Sequence, residues 1–263
     1  MDLQLTGQTA LITGSTGGIG LAIARRLAAE GAAVILTGRT EARIEQARAA
    51  ILAQTPGAEV RGVAVDFGRA EQVQNLLQQV PTVDILVNNV GIFDPKPFAS
   101  ISDEEWLHFF EVNVLSGVRL SRHYFPQMLQ RDRGRIIFIS SESGLQIPQE
   151  MIHYGTTKTA QLAVARGLAE LTKGTRVTVN SVLPGPTASE GVQEFIGKLA
   201  AEGQSREEAE QVFFRHDRPT SLLQRFITTD EVASMVAYLV SPLAAATNGA
   251  SVRADGGVIR SIG

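Results

Sequence analysis

Short, continuous apolar runs alternate along the chain with longer stretches of helical period. TALIT (9–13), AVILTG (33–38), VRGVAVD (60–66), VDILVNN (83–89), RIIFIS (135–140) and RVTVNSV (176–182) read as strands, and ASVRADGG (250–257) as a last one. Runs that are apolar at successive positions, rather than at every second one, belong in a sheet covered on both faces. Residues 18–30, 40–54, 69–79, 102–131, 153–173 and 229–240 read as helices between them. This rhythm predicts an α/β fold with a doubly wound, parallel, seven-stranded sheet and helices on both faces. No Pro- or Gly-rich linker and no repeat interrupts 1–263, which reads as a single domain. Ser102 followed by Asp103-Glu104-Glu105, and Ser205 followed by Glu208, read as capping boxes that start helices, not as carboxylate pairs for acid/base work.

Composition narrows the chemistry. Hydrophobic residues make up 44% of 263, ample for a core, and the net charge of −3 offers no global basic field for nucleic acid. Arg25-Arg26 and Arg131-Asp132-Arg133 read as solvated helix ends. Cysteine is absent, which removes disulfides and thiolate nucleophiles and suits a reducing, cytoplasmic setting. The histidines at 108, 123, 153 and 216 lack metal-ligand spacing, so no metal is expected. The start, MDLQLTGQTALITG, has no basic segment followed by a long apolar one, and no run elsewhere is long enough for a bilayer, so no membrane partner is expected.

Two stretches carry candidate chemistry. Gly14, Gly18 and Gly20 sit where the first strand turns into the first helix. Without Cβ atoms such a turn brings backbone close to a pyrophosphate, and the helix start offers free N–H groups to the anion. The second stretch is HYGTTKTAQLAVA (153–165), where Tyr154 and Lys158 fall on one helix face. A phenol is a poor base at neutral pH, but a fixed ammonium nearby lowers its pKa. The pair taken alone is either a tuned proton donor or two chance neighbours.

Taken together, the motifs resemble the short-chain dehydrogenase/reductase family over essentially the whole chain. Thr13-Gly14-Ser15-Thr16-Gly17-Gly18-Ile19-Gly20 matches its T-G-x-x-x-G-x-G, and Asn88-Asn89-Val90-Gly91 matches N-N-A-G with Val for Ala. Asn113, Ser141, Tyr154-x-x-x-Lys158, Asn180, Pro184-Gly185 and Asp255-Gly256-Gly257 follow in the family's order. The resemblance implies a Rossmann-type domain and a catalytic tetrad of Asn113, Ser141, Tyr154 and Lys158. In it Tyr154 exchanges a proton with the carbonyl or alcohol oxygen. Lys158 depresses the tyrosine pKa and holds the nicotinamide ribose, Ser141 donates to the substrate oxygen, and Asn113 holds a water linking Lys158 to solvent. Ser140 is then structural, Ser143 is placed to face substrate, and His153 points to another helix face.

The resemblance also implies the cofactor contacts: Gly14, Ser15, Thr16, Gly18, Ile19 and Gly20 in the turn, Asp66 at the adenine amino group, and Asn89 and Gly91 along the adenosine. Tyr154 and Lys158 join them at the ribose, with Pro184, Gly185, Thr187 and Ser189 nearer the amide and phosphates. Position 38, where NAD-preferring members hold an acid, is glycine here and Arg39 follows. A missing acid beside a guanidinium suits a 2′-phosphate, so NADP is the expected cofactor, with NAD possible.

Residues 187–228 read as a substrate lid, with Val192, Phe195, Ile196, Leu199, Val212-Phe213-Phe214 and Leu222-Leu223 as its apolar stripe. Ile92, Phe93, Leu145, Ile147 and Met151 are expected at the pocket rim. The expected activity is NADPH-dependent reduction of a small-molecule carbonyl with an apolar portion, and the reverse alcohol oxidation. The alternatives are a 3-oxoacyl-thioester reductase and, in another class, a nucleotide-sensing protein without catalysis. The family resemblance further implies a homotetramer.

Overall fold

The computed structural model describes residues 1–190, 192 and 205–262, so Phe195, Ile196 and Leu199 of the expected lid stripe lie outside the described residues. Seven strands form one sheet in the order β3-β2-β1-β4-β5-β6-β7, every pair parallel. They are β1 (Thr9–Ile12), β2 (Ala33–Gly38), β3 (Val60–Ala64), β4 (Ile85–Asn88), β5 (Arg135–Ile139), β6 (Thr178–Pro184) and β7 (Ser251–Ala254). Among the described residues the helices are α1 (Gly18–Ala29), α2 (Glu41–Gln54), α3 (Ala70–Gln79), α4 (Asp103–Phe110), α5 (Ser116–Gln130), α6 (Ile152–Glu170), α7 (Arg206–His216) and α8 (Thr229–Val240).

The continuous apolar runs are explained by a core on each face. Ala10 and Ile12 of β1, with Ile137 and Ile139 of β5, pack with Ile23 and Leu27 of α1 and Val232 and Val236 of α8. Leu11, Ile136 and Phe138, the residues between them, pack on the opposite face with Val73 and Leu76 of α3, Leu120 and Tyr124 of α5 and Ala165 of α6. Successive side chains of a strand point to opposite faces, so every position of such a strand is a core position.

Helix ends follow local chemistry. Thr40 lies just outside α2 and caps it, accepting from Arg43 N. Ser102, Ser205 and Thr228 form capping boxes with Glu105, Glu208 and Glu231. Arg176, expected in the sixth strand, is held in a turn by Asp132, which accepts from its N at 2.7 Å and its Nε at 2.9 Å. β6 therefore begins later and runs to Pro184. The helical pattern at 102–131 is one run interrupted by a π turn, Glu111–Leu115, between α4 and α5. Such a turn inserts a residue into the ladder without altering composition, so a 3.6-residue pattern does not reveal it.

The two halves of the sheet wind outward in opposite directions from β1 and β4. That leaves a crevice at the carboxyl ends of the strands, where open α/β sheets bind ligands.

Candidate active site

The crevice begins at the glycine turn. Gly14 (φ +61°) and Gly18 (φ +53°) are left-handed, a conformation that favours glycine. A Cβ on Gly20 would lie 2.4 Å from the Gly14 carbonyl oxygen and 2.6 Å from Asn89 Nδ2, so α1 packs on the turn only because Gly20 has no side chain. Asn89 Nδ2 donates to the Thr13 and Gly14 carbonyls at 2.8 and 3.1 Å, and Thr13 Oγ1 accepts from Asn89 N and Val90 N. Asn89 thus uses its amide to hold the turn, and Gly91 behind it keeps space beside Lys158, whose Nζ would stand 3.2 Å from a Cβ there. Ser15 is fully buried: its N–H reaches the Thr37 carbonyl, and its hydroxyl donates to the Ile12 carbonyl and accepts from Thr37 N. Its side chain shapes the turn.

The start of α1 has Gly17 at the N-cap, no side-chain cap and no acid in its first turn. Its leading N–H groups are left for an anion, and Thr16 and Ile19 flank them. Beside them, Glu190 Oε2 would stand 3.5 Å from a Cβ on Gly17 and accepts from Arg43 Nη2 at 3.3 Å. Sequence reading found no basic residue at this turn; Arg43 of α2 reaches Glu190 beside it. Arg39 is exposed at the end of β2 and makes no hydrogen bond or ion pair among the described residues. Gly38 beneath it has no room for a side chain: a Cβ would meet Thr16 Cγ2 at 2.4 Å. Asp66, past β3, accepts from Gly68 N at 3.0 Å and keeps its carboxylate half-exposed, with Arg69 3.6 Å away.

A cavity of 230 Å³ joins this crevice to the tetrad. Ser141, Tyr154 and Lys158 line it, as do Ile19, Asn89, Gly91, Pro184, Gly185, Thr187 and Ser189. β5 delivers Ser141 at its carboxyl end, and α6 presents Tyr154 and Lys158 one turn apart. Lys158 Nζ lies 5.6 Å from the Tyr154 ring centroid and donates to the Ile139 carbonyl at 3.0 Å and Gln161 Oε1 at 3.2 Å. The side-chain amide of Gln161 donates in turn to the Asn113 carbonyl. Asn113, in the π turn, clamps Ile92 through both of its side-chain ends, at 2.7 and 3.0 Å, and donates to Thr157 Oγ1 at 3.0 Å. Gln161 thus ties Lys158 to the backbone of Asn113, a contact that sequence reading missed although Gln161 follows Lys158 by three residues on the same face.

Electrostatics also depart from expectation. Burial, reinforced by the Glu142 carboxylate, pushes the Tyr154 phenol above its ordinary value, against a smaller opposing effect of Ser141. Burial lowers Lys158 to about 8, Glu142 opposing it. Lys158 does not offset these effects on the tyrosine, because desolvation dominates.

Glu142 and Arg218 are the other unforeseen members. Glu142 is buried directly after Ser141, whose hydroxyl donates to its Oε2. Arg218, just past α7, donates from Nε to Glu142 Oε1 at 3.2 Å and from Nη1 to Glu150 Oε1 at 3.2 Å. Glu150 and Asp217 also line the cavity, and its apolar wall includes Phe93, which meets Tyr154 edge-on, Met151, Val192 and Phe213. Ser143 lines it too, while Ser140 donates to the Lys158 carbonyl and is structural. Ile92, Leu145 and Ile147 do not line the cavity; the last two are exposed on the surface. His153 packs between Trp106 and Phe109 of α4, away from the wall. Leu222 and Leu223 cover Gly256-Gly257 rather than the cavity, and Phe214 is buried against Phe226. Thr187 Oγ1 donates to the Gly185 carbonyl at 2.8 Å, and Ser189 Oγ accepts from Val192 N at 3.4 Å.

Comparison with known proteins agrees with this geometry. Residues 8–199 match the short chain dehydrogenase family profile. The chain is 50% identical over the full length of both proteins to the uncharacterized oxidoreductase YvaG of Bacillus subtilis (strain 168). It is 32% identical to D-beta-hydroxybutyrate dehydrogenase of Cupriavidus necator, covering 97% of this chain and 98% of that one. In three dimensions it is similar to L-sorbose reductase from Gluconobacter frateurii, solved with NADPH and L-sorbose, at a TM-score of 0.94, 30% identity and full coverage of both chains.

Proposed function

The chain belongs to the short-chain dehydrogenase family, and on that premise we propose that it is an NADPH-dependent reductase converting a ketone with an apolar portion to the secondary alcohol, and the reverse. The observation that carries this reading is the meeting of Ser141, Tyr154 and Lys158 in one cavity beside the uncapped start of α1. When bound, the reduced nicotinamide supplies hydride to the carbonyl carbon. Tyr154 Oη gives its proton to the oxygen as negative charge develops there, and the raised pKa keeps the phenol loaded for that step. Ser141 donates to the same oxygen. Lys158 contributes positive charge beneath the tyrosine, held in place by Ile139 and Gln161.

The cofactor's pyrophosphate belongs on the Gly14–Gly20 turn, with Thr16, Gly18 and Ile19 around it. Its adenine belongs by Asp66, its adenosine along Asn89 and Gly91, and its ribose at Tyr154 and Lys158. Pro184, Gly185, Thr187 and Ser189 flank the amide side. Arg39, exposed at the strand end and without an ion pair among the described residues, supports a 2′-phosphate and hence NADPH; the sorbose reductase neighbour was solved with that cofactor. The absence of cysteine fits a cytoplasmic setting. Exposed Leu107, Leu115 and Leu171 on and around α4 to α6, together with the open edge of β7, support a homotetramer assembled through those faces. Among the described residues no helix is long and apolar enough to cross a membrane.

The test is a panel of ketones and alcohols followed by nicotinamide absorbance with NADPH and NADH. Ketone-dependent NADPH oxidation is the expected result; a chain that binds the cofactor and turns over no carbonyl on the panel is not a reductase of this kind.

A further inference from the structure

Ser141 has one hydroxyl proton, and in this structure it goes to Glu142 Oε2. Its oxygen meanwhile accepts from Ser143 N at 3.1 Å. The reduction proposed above needs that proton on the substrate's carbonyl oxygen. Once Ser141 turns to the carbonyl, Oε2 loses its donor, and a buried carboxylate oxygen stripped of a donor is costly. Glu142 is only 5% exposed, so bulk water does not readily substitute.

The neighbouring donors hold other partners, although Arg218 Nη2 and a third Lys158 proton carry no hydrogen bond among the described residues. Arg218 gives Nε to the other oxygen, Oε1, and Nη1 to Glu150 and the Asp217 carbonyl. Lys158 is held by Ile139 and Gln161, and the Tyr154 proton is needed at the same carbonyl as that of Ser141. Glu142 lines the cavity that the substrate enters, so a donor carried by the substrate beside its carbonyl can take the place of the Ser141 proton.

We infer that Glu142 determines substrate specificity and that the substrate carries a hydroxyl on the carbon next to its carbonyl. This rests on the reductase reading and deepens it. Ser141 Oγ and Glu142 Oε2 are hydrogen-bonded neighbours on one wall of the cavity, so a carbonyl and a hydroxyl on adjacent carbons can reach both. Bound this way, the carbonyl oxygen accepts from Ser141 and the hydroxyl donates to Oε2, so no buried acceptor is left short. A hydroxyl fits better here than an anion. Glu142, Glu150 and Asp217 all line the cavity, against the two cations Arg218 and Lys158. The apolar portion of the substrate then lies against Phe93, Met151, Val192 and Phe213.

The test compares hydroxyacetone, methoxyacetone and acetone, and the same three head groups on a phenethyl ketone, with the full chain and NADPH. Methoxy keeps the electron-withdrawing oxygen but removes the donor, which separates recognition from intrinsic reactivity. In either tail series the hydroxy ketone should exceed both partners by at least about tenfold in kcat/KM, since a site built to bond a hydroxyl rejects the analogue lacking it. Glu142→Gln keeps the shape and one acceptor but removes the charge, and should shrink that ratio at least about threefold. A methoxy ketone within about threefold of its hydroxy partner in both series overturns the inference while leaving the reductase reading standing. If NADPH is oxidised with none of the six or with any other carbonyl, the reductase reading fails, and this inference with it.

Discussion

Lys158 Nζ donates to Gln161 Oε1 at 3.2 Å, and through Gln161 the buried lysine is tied to the π turn that carries Asn113. The lysine is charged at neutral pH at a cost, because burial depresses its pKa from 10.5 to about 8. A folded-state value below the unfolded one means that Lys158 weakens the fold fully below pH 8. That penalty is relieved as the pH climbs from about 8 to 10.5, where the unfolded chain still binds the proton and the folded one has lost it. Lys158→Met should therefore gain Tm relative to wild type most at neutral pH, with the difference shrinking across that window. A Tm difference that is flat from pH 7 to 10.5, followed by circular dichroism, contradicts the buried-lysine account.

Tyr154→Phe keeps the ring that meets Phe93 and removes only the proton donor. NADPH should still bind, and turnover on a good ketone should fall by roughly 10²- to 10⁴-fold, the usual weight of a positioned acid/base group. Near-wild-type turnover would remove Tyr154 from the proton-transfer role.

Arg39→Ala should weaken NADPH by about tenfold or less, a screened, exposed guanidinium being worth less than a buried one, and leave NADH unchanged. Fluorescence titration gives both values of Kd. Equal weakening of the two cofactors would show that Arg39 does not meet the 2′-phosphate. The complementary change, Gly38→Asp, carries a structural penalty, because its Cβ meets Thr16 Cγ2 at 2.4 Å. It should reverse the preference cleanly only when combined with Thr16→Ala, which opens that space.

Arg218→Met leaves Glu142 buried without its cation. Losing one partner of a buried pair costs about 3–5 kcal/mol, so urea unfolding should show a large loss of stability. Adding Glu142→Gln to it should recover part of that loss, since the uncompensated charge is gone. If the double variant is as unstable as the sum of the two single ones, the pair is not energetically coupled.

In solution the proposed assembly predicts a light-scattering mass close to four chains of 28.2 kDa at micromolar concentration. Leu107→Glu, on the exposed face of α4, should lower that mass without unfolding the chain. A monomeric mass for the unsubstituted protein rules the tetramer out.

The local grammar of the chain determined most of the fold and the nucleus of the site. Apolar runs with no alternation mark strands covered on both faces. The capping serines and threonines mark helix starts, Gly14, Gly18 and Gly20 mark the turn, and Tyr154 and Lys158 share a helix face, because these depend on neighbours within a few residues; Asn113 and Ser141 are placed by the family resemblance. What the tertiary structure alone decided depends on distance in space and on burial. Glu142 and Arg218 meet across 76 residues of chain, so no local pattern announces the pair. Arg43 meets Glu190 across 147 residues, Gln161 reaches Asn113 across 48 residues, and the π turn at 111–115 leaves composition untouched. Desolvation reversed the expected lowering of the Tyr154 pKa: the cost of charge in a buried site is set by what surrounds it, which spacing along the chain does not encode.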